Sequence, residues 1–257
     1  MIRIVADLGN SRLKWGLISP DGRLGATIAL PTDDPTALAS AWQAQGWTGA
    51  ETSWSIASVN PPLADRLESF LVDQEVKAIR WYRSAYDVGV SHDLEQPSLT
   101  GADRALAVVG ALGLRGGRGP GLVVSCGTAI TVERISSEGV WQGGAIAPGM
   151  GPMAKALHLL TAQLPEVTLR NVPEPYGRST VPAIEAGVFW GVVGTIRELL
   201  IRQSIGLEVE PWLIWTGGDA AAFAPLVGWP GASIVTHLVL EGLRIEDARG
   251  SSPGGPN

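Results

Sequence analysis

Three short stretches set reactive side chains beside glycine. In Asp7-Leu8-Gly9-Asn10-Ser11-Arg12-Leu13-Lys14 an aspartate closes an apolar run just before a glycine, and a lysine follows in the next run. A carboxylate in that place suits hydrated Mg²⁺, held directly or through water. Glycine lets the backbone come close to a phosphate, successive N–H groups make an anion-binding concavity, and Lys14 supplies a point charge that can reach back over it. Gly127-Thr128-Ala129 repeats the glycine and adds a hydroxyl after another apolar run. Thr100-Gly101-Ala102-Asp103-Arg104 puts an acid and a base where a helix is expected to begin, a position whose unpaired N–H groups and dipole favour anions. Each stretch also has a plainer reading: Gly9-Asn10 as an ordinary hairpin turn, Asp103 as a helix cap, Arg104 as a surface charge.

The elements that would carry these residues follow from hydrophobic period. Residues 2–19 read as a strand, a Gly9-Asn10 turn and a second strand with Leu13, Trp15 and Leu17 on alternate positions. Residues 121–135 read as a second hairpin of the same kind. Between them, the glycines and proline of residues 113–121 mark a domain boundary. The first half adds helices over 35–45 and from Pro62 to about Gln74, strands from Ser53 and near 76–81, and a helix from Ala102. The second half adds helices over 152–160 and 183–202, the latter with Ile184, Val188, Val192, Ile196 and Leu199 on one face, and a buried strand Trp212 to Thr216. Alternating strands and helices predict α/β layers with mixed sheets. Two glycine hairpins facing a central nucleotide cleft describe the duplicated ribonuclease-H-like, actin-like ATPase fold. Its domains are expected at 1–116 and 117–248, with a disordered tail over 249–257. Ser125 stands where that fold would place a second carboxylate.

Composition narrows the function classes. The chain has 257 residues, 19 Lys and Arg against 25 Asp and Glu, and a net charge of −6. No basic excess is present to neutralise a nucleic-acid backbone, so a nucleic-acid partner is not expected. No apolar run approaches the roughly 20 residues that cross a bilayer, so no membrane partner is expected either. One cysteine, Cys126, makes no internal disulfide, and the start has no signal-peptide pattern, which points to the cytoplasm. His92, His158 and His237 have no metal-ligand spacing, and the ten tryptophans are scattered as core residues would be.

The ordered set Asp7-x-Gly9-Asn10 with Lys14-Trp15, Gly101-Ala102-Asp103-Arg104, Gly127-Thr128-Ala129-x-Thr131, Gly143-Gly144-Ala145-Ile146-Ala147-Pro148-Gly149, Thr161-Ala162-Gln163-Leu164-Pro165, Gly177-Arg178-Ser179-Thr180, Ala183-Ile184-Glu185-Ala186-Gly187 and Thr216-Gly217-Gly218 resembles the signatures of type III pantothenate kinases, over about residues 3 to 244. Bvg-type transcription-accessory proteins share that family. The resemblance implies ATP-dependent phosphorylation of pantothenate to 4′-phosphopantothenate, with Mg²⁺, in a homodimer whose helix 183–202 is a candidate contact surface. It implies that Asp7, Leu8, Gly9, Asn10, Ser11, Arg12, Leu13, Lys14 and Thr128 contact ATP. Gly101, Ala102, Asp103, Arg104 and Thr180 would contact pantothenate, with Asp103 as proton acceptor and Asp7 as the candidate Mg²⁺ ligand. Three positions depart from the pattern. Leu94 stands where a substrate-contacting Tyr is frequent. Ser125 replaces the aspartate that holds a monovalent cation, K⁺ or NH₄⁺, and Glu133 replaces a frequent Asp. The alternative reading is a catalytically weak family member acting as a regulatory or binding protein.

Overall fold

The computed structural model describes residues 1–34, 36–117 and 119–250. The chain divides into two compact units, Met1–Gly117 joined by the chain from His237, and Arg118–Thr236. The division falls after residue 117, inside the stretch 113–121 read as a boundary. The second domain was expected to run to 248 and instead stops at Thr236.

In the first unit β1 (Ile2–Leu8), β2 (Arg12–Ile18) and β3 (Leu24–Pro31) form an antiparallel meander, followed by α1 (Ala37–Gln45). Pro35, at the start of the expected helix, lies outside the described residues. The strand β4 (Thr52–Ser58), the helix α2 (Pro61–Asp73) and the strand β5 (Ala78–Tyr82) complete a mixed sheet of order β3-β2-β1-β4-β5. β4 lies parallel to β1, so Ala57 pairs with Asp7 at the strand ends. One face of the sheet buries Ile4, Ala6, Leu8, Leu13, Trp15, Trp54 and Ile56 against Trp42 of α1 and Ala64, Leu67 and Leu71 of α2. Trp15 meets Trp54 edge-on at 5.6 Å, and Trp42 stacks on Trp54 at 6.2 Å. The tryptophans of this unit are core residues, as their scatter suggests.

The helix α3 (Ala102–Arg115) runs on into the stretch read as a boundary. Gly113 stays helical because its missing side chain makes room for a neighbour: a Cβ there would lie 2.5 Å from Ile245 Cδ1. The helix stops at Gly116, which takes a left-handed φ of 64°.

The second unit repeats the plan. β6 (Gly121–Cys126), β7 (Ala129–Ile135) and β8 (Trp141–Pro148) form the meander, followed by α4 (Met150–Leu160) and α5 (Thr180–Ser204). β9 (Trp212–Thr216), α6 (Ala220–Val227) and β10 (Ser233–Ile234) complete a sheet of order β10-β9-β6-β7-β8, the first sheet's connectivity over again. Ile184, Val188, Val192 and Ile196 of α5 are buried within this unit. The face of the helix that carries these four residues is thus covered within its own unit. Cys126 is fully buried, and desolvation, with a smaller push from Asp219, raises its thiol to about 12.

The chain then returns to the first unit as α7 (Leu238–Gly250), which sequence period did not reveal. Arg249 belongs to this helix, pairing with Glu246 and donating to the Gly89 carbonyl, so the expected tail does not begin there. Residues 251–257 lie outside the described residues. α7 docks on α3 through a reciprocal notch. A Cβ on Gly242 would lie 2.0 Å from the Leu106 carbonyl oxygen, and one on Gly110 would lie 2.4 Å from that of Leu238. Asp247 accepts from Arg3 and from Ser55 Oγ at 2.9 Å, tying the helix to β1 and β4. Among the described residues no helix is long and apolar enough to cross a membrane.

Gly242→Ala drives a methyl into backbone rather than into a side chain that can turn away. It should cost about 2 kcal/mol or more, the upper range for overpacked contacts. Urea melts should show a lowered midpoint with an unchanged slope, while Gly187→Ala, inside α5 with nothing within 4 Å of the added Cβ, should hold or raise the midpoint, since alanine is the better helix former. Equal stability of Gly242→Ala and wild type would show that the helices are not locked by this contact.

Candidate active site

The first hairpin is not an ordinary two-residue turn. A type I′ loop needs positive φ at both central residues, and neither Gly9 nor Asn10 has one; Glu75 is the one non-glycine residue with positive φ among those described. The loop is wider, closed by the Gly9 N–H donating to the Arg12 carbonyl at 3.0 Å. Thr32, just past β3, clamps it from one side: its hydroxyl donates to the Asn10 carbonyl at 3.0 Å and its N–H to the Ser11 carbonyl at 3.3 Å.

The hairpin glycines are then unexplained by the protein itself. A Cβ on Gly9 would meet its nearest neighbour at 3.4 Å, an ordinary contact, and one on Gly127 would meet nothing within 4 Å. Neither φ nor packing requires glycine at these matching places in the two units. Glycine there leaves the backbone open to close approach from outside. Elsewhere packing does decide. A Cβ on Gly149 would lie 2.1 Å from the Gly127 carbonyl oxygen, and one on Gly217 2.1 Å from that of Cys126, so both brace the Gly127-Thr128-Ala129 turn. The Gly149 N–H also donates to the Thr128 carbonyl at 2.9 Å.

Asp7 and Lys14 face each other across β1 and β2, with 4.0 Å between Oδ2 and Nζ. Burial pushes the Asp7 carboxyl up to about 6; Lys14 pulls it down in part, and the charge of Asp103 adds to the rise. The first unit thus brings Asp7, Lys14 and Asp103 to one place. Asp103 sits in the first turn of α3, where its Oδ1 accepts the Arg104 N–H at 2.9 Å. The N-cap of α3 is Gly101, which offers no side-chain cap, so Asp103 holds one first-turn N–H from inside the helix, and that bond does not compete with a chemical role. Gly101 leaves room for that carboxylate: a Cβ would fall 2.5 Å from Oδ1. The segment is pinned by a bridge between Gly101 and Ser84 and by the Ala85 N–H donating to the Thr100 carbonyl at 2.7 Å.

Some expected contact residues face inward. Leu8, Leu13 and Ala102 bury their side chains in the core, leaving main-chain atoms alone for a ligand. Ser11, Arg12 and Asn10 are exposed on the loop, and Arg104 is half-buried. Thr128 and Thr180 belong to the second unit, both exposed. Thr180 opens α5 beside Arg178, Leu157, Leu164 and Ile184, around a cavity of about 590 Å³. Ser125 lies in register with Thr131 on β7 and Thr216 on β9, a row of three neutral hydroxyls. Glu133 is buried and accepts from Trp141 Nε1 at 3.0 Å, while a Cβ on Gly144 would strike its Oε2 at 2.5 Å. Glu133 is thus packed as a core acid. Sequence reasoning passed over Thr32, Asn60 and Asp219. The last follows Gly217-Gly218 and donates its N–H to the Cys126 carbonyl at 3.2 Å, a place that Thr216-Gly217-Gly218 foreshadows.

Comparison with known proteins bears on the whole chain. The family profile described as type III pantothenate kinase matches residues 3–202. A type III pantothenate kinase of Akkermansia muciniphila is 32% identical over 251 residues, covering 95% of this chain and 98% of that protein. One from Anaeromyxobacter dehalogenans strain 2CP-C is 36% identical and covers 74% of each. Among solved structures, a protein described as a Baf family transcriptional activator from Campylobacter jejuni superposes with TM-score 0.59 at 20% identity, covering 96% of this chain and 98% of that one. A protein described as an N-acetylmannosamine kinase from Listeria monocytogenes gives 0.51 at 14% identity, covering 98% and 100%. These likenesses establish the duplicated α/β ATPase fold.

Because Asp7 holds its proton more tightly when folded than when unfolded, its charged form opposes folding. That penalty is absent below pH 4, grows as pH rises through about 6, and is constant above. With no metal or nucleotide added, Asp7→Asn should be more stable than wild type at pH 8, by up to about 3 kcal/mol for a shift of roughly two units. The difference should shrink towards zero by pH 4. Melting temperatures of both proteins across pH 4–8 test this, and a difference independent of pH would contradict it.

Proposed function

Because the chain belongs to the type III pantothenate kinase family, we propose that it transfers the γ-phosphoryl group of ATP to the primary hydroxyl of pantothenate. The product is 4′-phosphopantothenate, the first committed intermediate toward coenzyme A. The observation that carries this reading is the meeting of Asp7, Lys14 and Asp103 in one unit. Phosphoryl transfer needs the phosphate cradle and the acceptor's base next to each other, and its loose transition state leaves positioning and charge neutralisation as the main sources of rate.

The roles follow from the chemistry of each group. The backbone of residues 9–12 and the Lys14 ammonium hold phosphate oxygens, Thr128 contributes a hydroxyl from the second hairpin, and the glycines let the chain come close. Asp103 orients the pantothenate hydroxyl and takes its proton as the O–P bond forms. Arg104 pairs with the pantothenate carboxylate, for which a planar guanidinium offers two parallel donors. Gly101 and Ala102 line the substrate beside Asp103, and Thr180 is a further proposed substrate contact.

Mg²⁺ suits the residues present. Among the described residues no group of three or more His, Cys, Asp or Glu could cage a metal, and Mg²⁺ is commonly held by one or two carboxylates, water and substrate phosphates. Asp7 would hold it, where a cation also relieves the repulsion from Asp103. When bound, it neutralises charge on the transferring phosphoryl group. A monovalent cation does not suit the second unit's hydroxyl row in the same way. Ser125, Thr131 and Thr216 offer neutral oxygens without the carboxylate that would offset the dehydration of K⁺, so no step of the proposal uses one.

We also propose a homodimer, the commonest oligomer, through the exposed apolar residues Leu159, Leu160 and Val181 rather than the covered face of α5. A monomer by light scattering at micromolar concentration, with full kinase activity, would remove that part of the proposal.

Asp103→Asn keeps an oxygen to accept the Arg104 N–H and loses the base. It should lower kcat about 10²- to 10⁴-fold and shift stability by no more than ~1 kcal/mol. Steady-state kinetics beside thermal melts separate the two effects. A variant keeping half of wild-type kcat at unchanged KM would exclude Asp103 as the base.

A further inference from the structure

We propose that Asn60 is a positioning residue for the first phosphate loop, locking the amide of Asn10 so that it presents N–H donors rather than its carbonyl to the nucleotide. This inference rests on the reading that Asn10 contacts ATP phosphates. It assigns a role to a residue outside the loop.

The argument is a chain of donors and acceptors that begins at a helix start. α2 opens with Pro61 and Pro62, neither of which has an N–H. Leu63 is therefore the first main-chain donor of the helix. Asn60 caps it, its Oδ1 accepting the Leu63 N–H at 3.3 Å, while its own N–H donates to Ser58 Oγ at 3.2 Å. A side-chain amide has one oxygen and one NH₂. With the oxygen turned to the helix, the NH₂ of Asn60 must turn outward, and it donates to Asn10 Oδ1 at 2.9 Å. That bond in turn fixes the second amide. The Asn10 carbonyl oxygen faces Asn60, so its two N–H donors face away. Thr32 holds the main chain of the same residues from the other side.

The consequence concerns sign. An asparagine free to flip shows an anion either two donors or a lone-pair oxygen, and the second repels phosphate. Held by Asn60, Asn10 shows donors in every molecule. The helix cap thereby sets the polarity of the loop.

The test compares dissociation constants for ATP, measured calorimetrically without pantothenate, in wild type, Asn60→Ser, Asn60→Asp, Asn10→Ala and the Asn10→Ala/Asn60→Ser double variant. Serine keeps the cap and removes the donor to Asn10, so melting temperature should hold while ATP binding weakens roughly three- to tenfold, the range one net hydrogen bond carries. Aspartate also keeps the cap, but it turns the Asn10 amide round and adds charge, so it should weaken binding more than serine does. In the Asn10→Ala background, Asn60→Ser should have no further effect. In turnover, KM for ATP should rise more than kcat falls, with KM for pantothenate unchanged. If Asn10→Ala weakens ATP binding and Asn60→Ser does not, or if the two losses simply add, the positioning role is wrong and the loop reading stands. If Asn10→Ala binds ATP like wild type, the loop reading fails and the inference fails with it.

Discussion

Two carboxylates share one partly buried place in the first unit, and most of the local architecture bears on keeping them there. Asp7 ends a central strand and Asp103 begins a helix. Burial raises the cost of ionising Asp7, and the charge of Asp103 adds to it. One cation of the protein, Lys14, stands across the strand pair, and its 4.0 Å approach offsets only part of that cost. Such an arrangement is poor for stability alone. A cation bound beside the two carboxylates would relieve that cost.

The elements around the pair restrict its freedom. Gly101 permits Asp103 to lie over the chain, the Ser84 bridge holds Gly101, and α7 braces α3 from behind through the Gly110 and Gly242 notch. The loop that would face the phosphates is equally constrained, by Thr32 on one side and Asn60 on the other. Rigid support of this kind lowers the reorganisation needed when charge moves in phosphoryl transfer.

Much of this was legible in the sequence, for physical reasons. The hairpins were, because apolar alternation broken by glycine has one common solution, and β9 was, because Trp212 to Trp215 is an unbroken apolar run between Pro211 and the Gly217-Gly218 pair. The duplication followed from seeing Gly9 and Gly127 in the same setting. What escaped had weak local signals. β3 and β8 are edge strands whose exposed positions dilute the alternation. α7 carries Glu246 and Asp247 towards the interior, so its buried face does not read as apolar. Gly113 looked like a helix breaker, and only its contact with Ile245 explains why it is not. The roles of Asn60 and Thr32 depend on residues fifty and twenty-two positions away, which no local pattern reports.

The reading as a kinase and the reading as a nucleotide-binding regulator share every contact up to the chemical step. Product identity separates them most directly. Purified protein with ATP, Mg²⁺ and isotopically labelled pantothenate should convert the label to a species with the mass of 4′-phosphopantothenate, one ADP appearing for each product over many turnovers. Tight ATP binding with no labelled phosphoester after extended incubation would contradict the account.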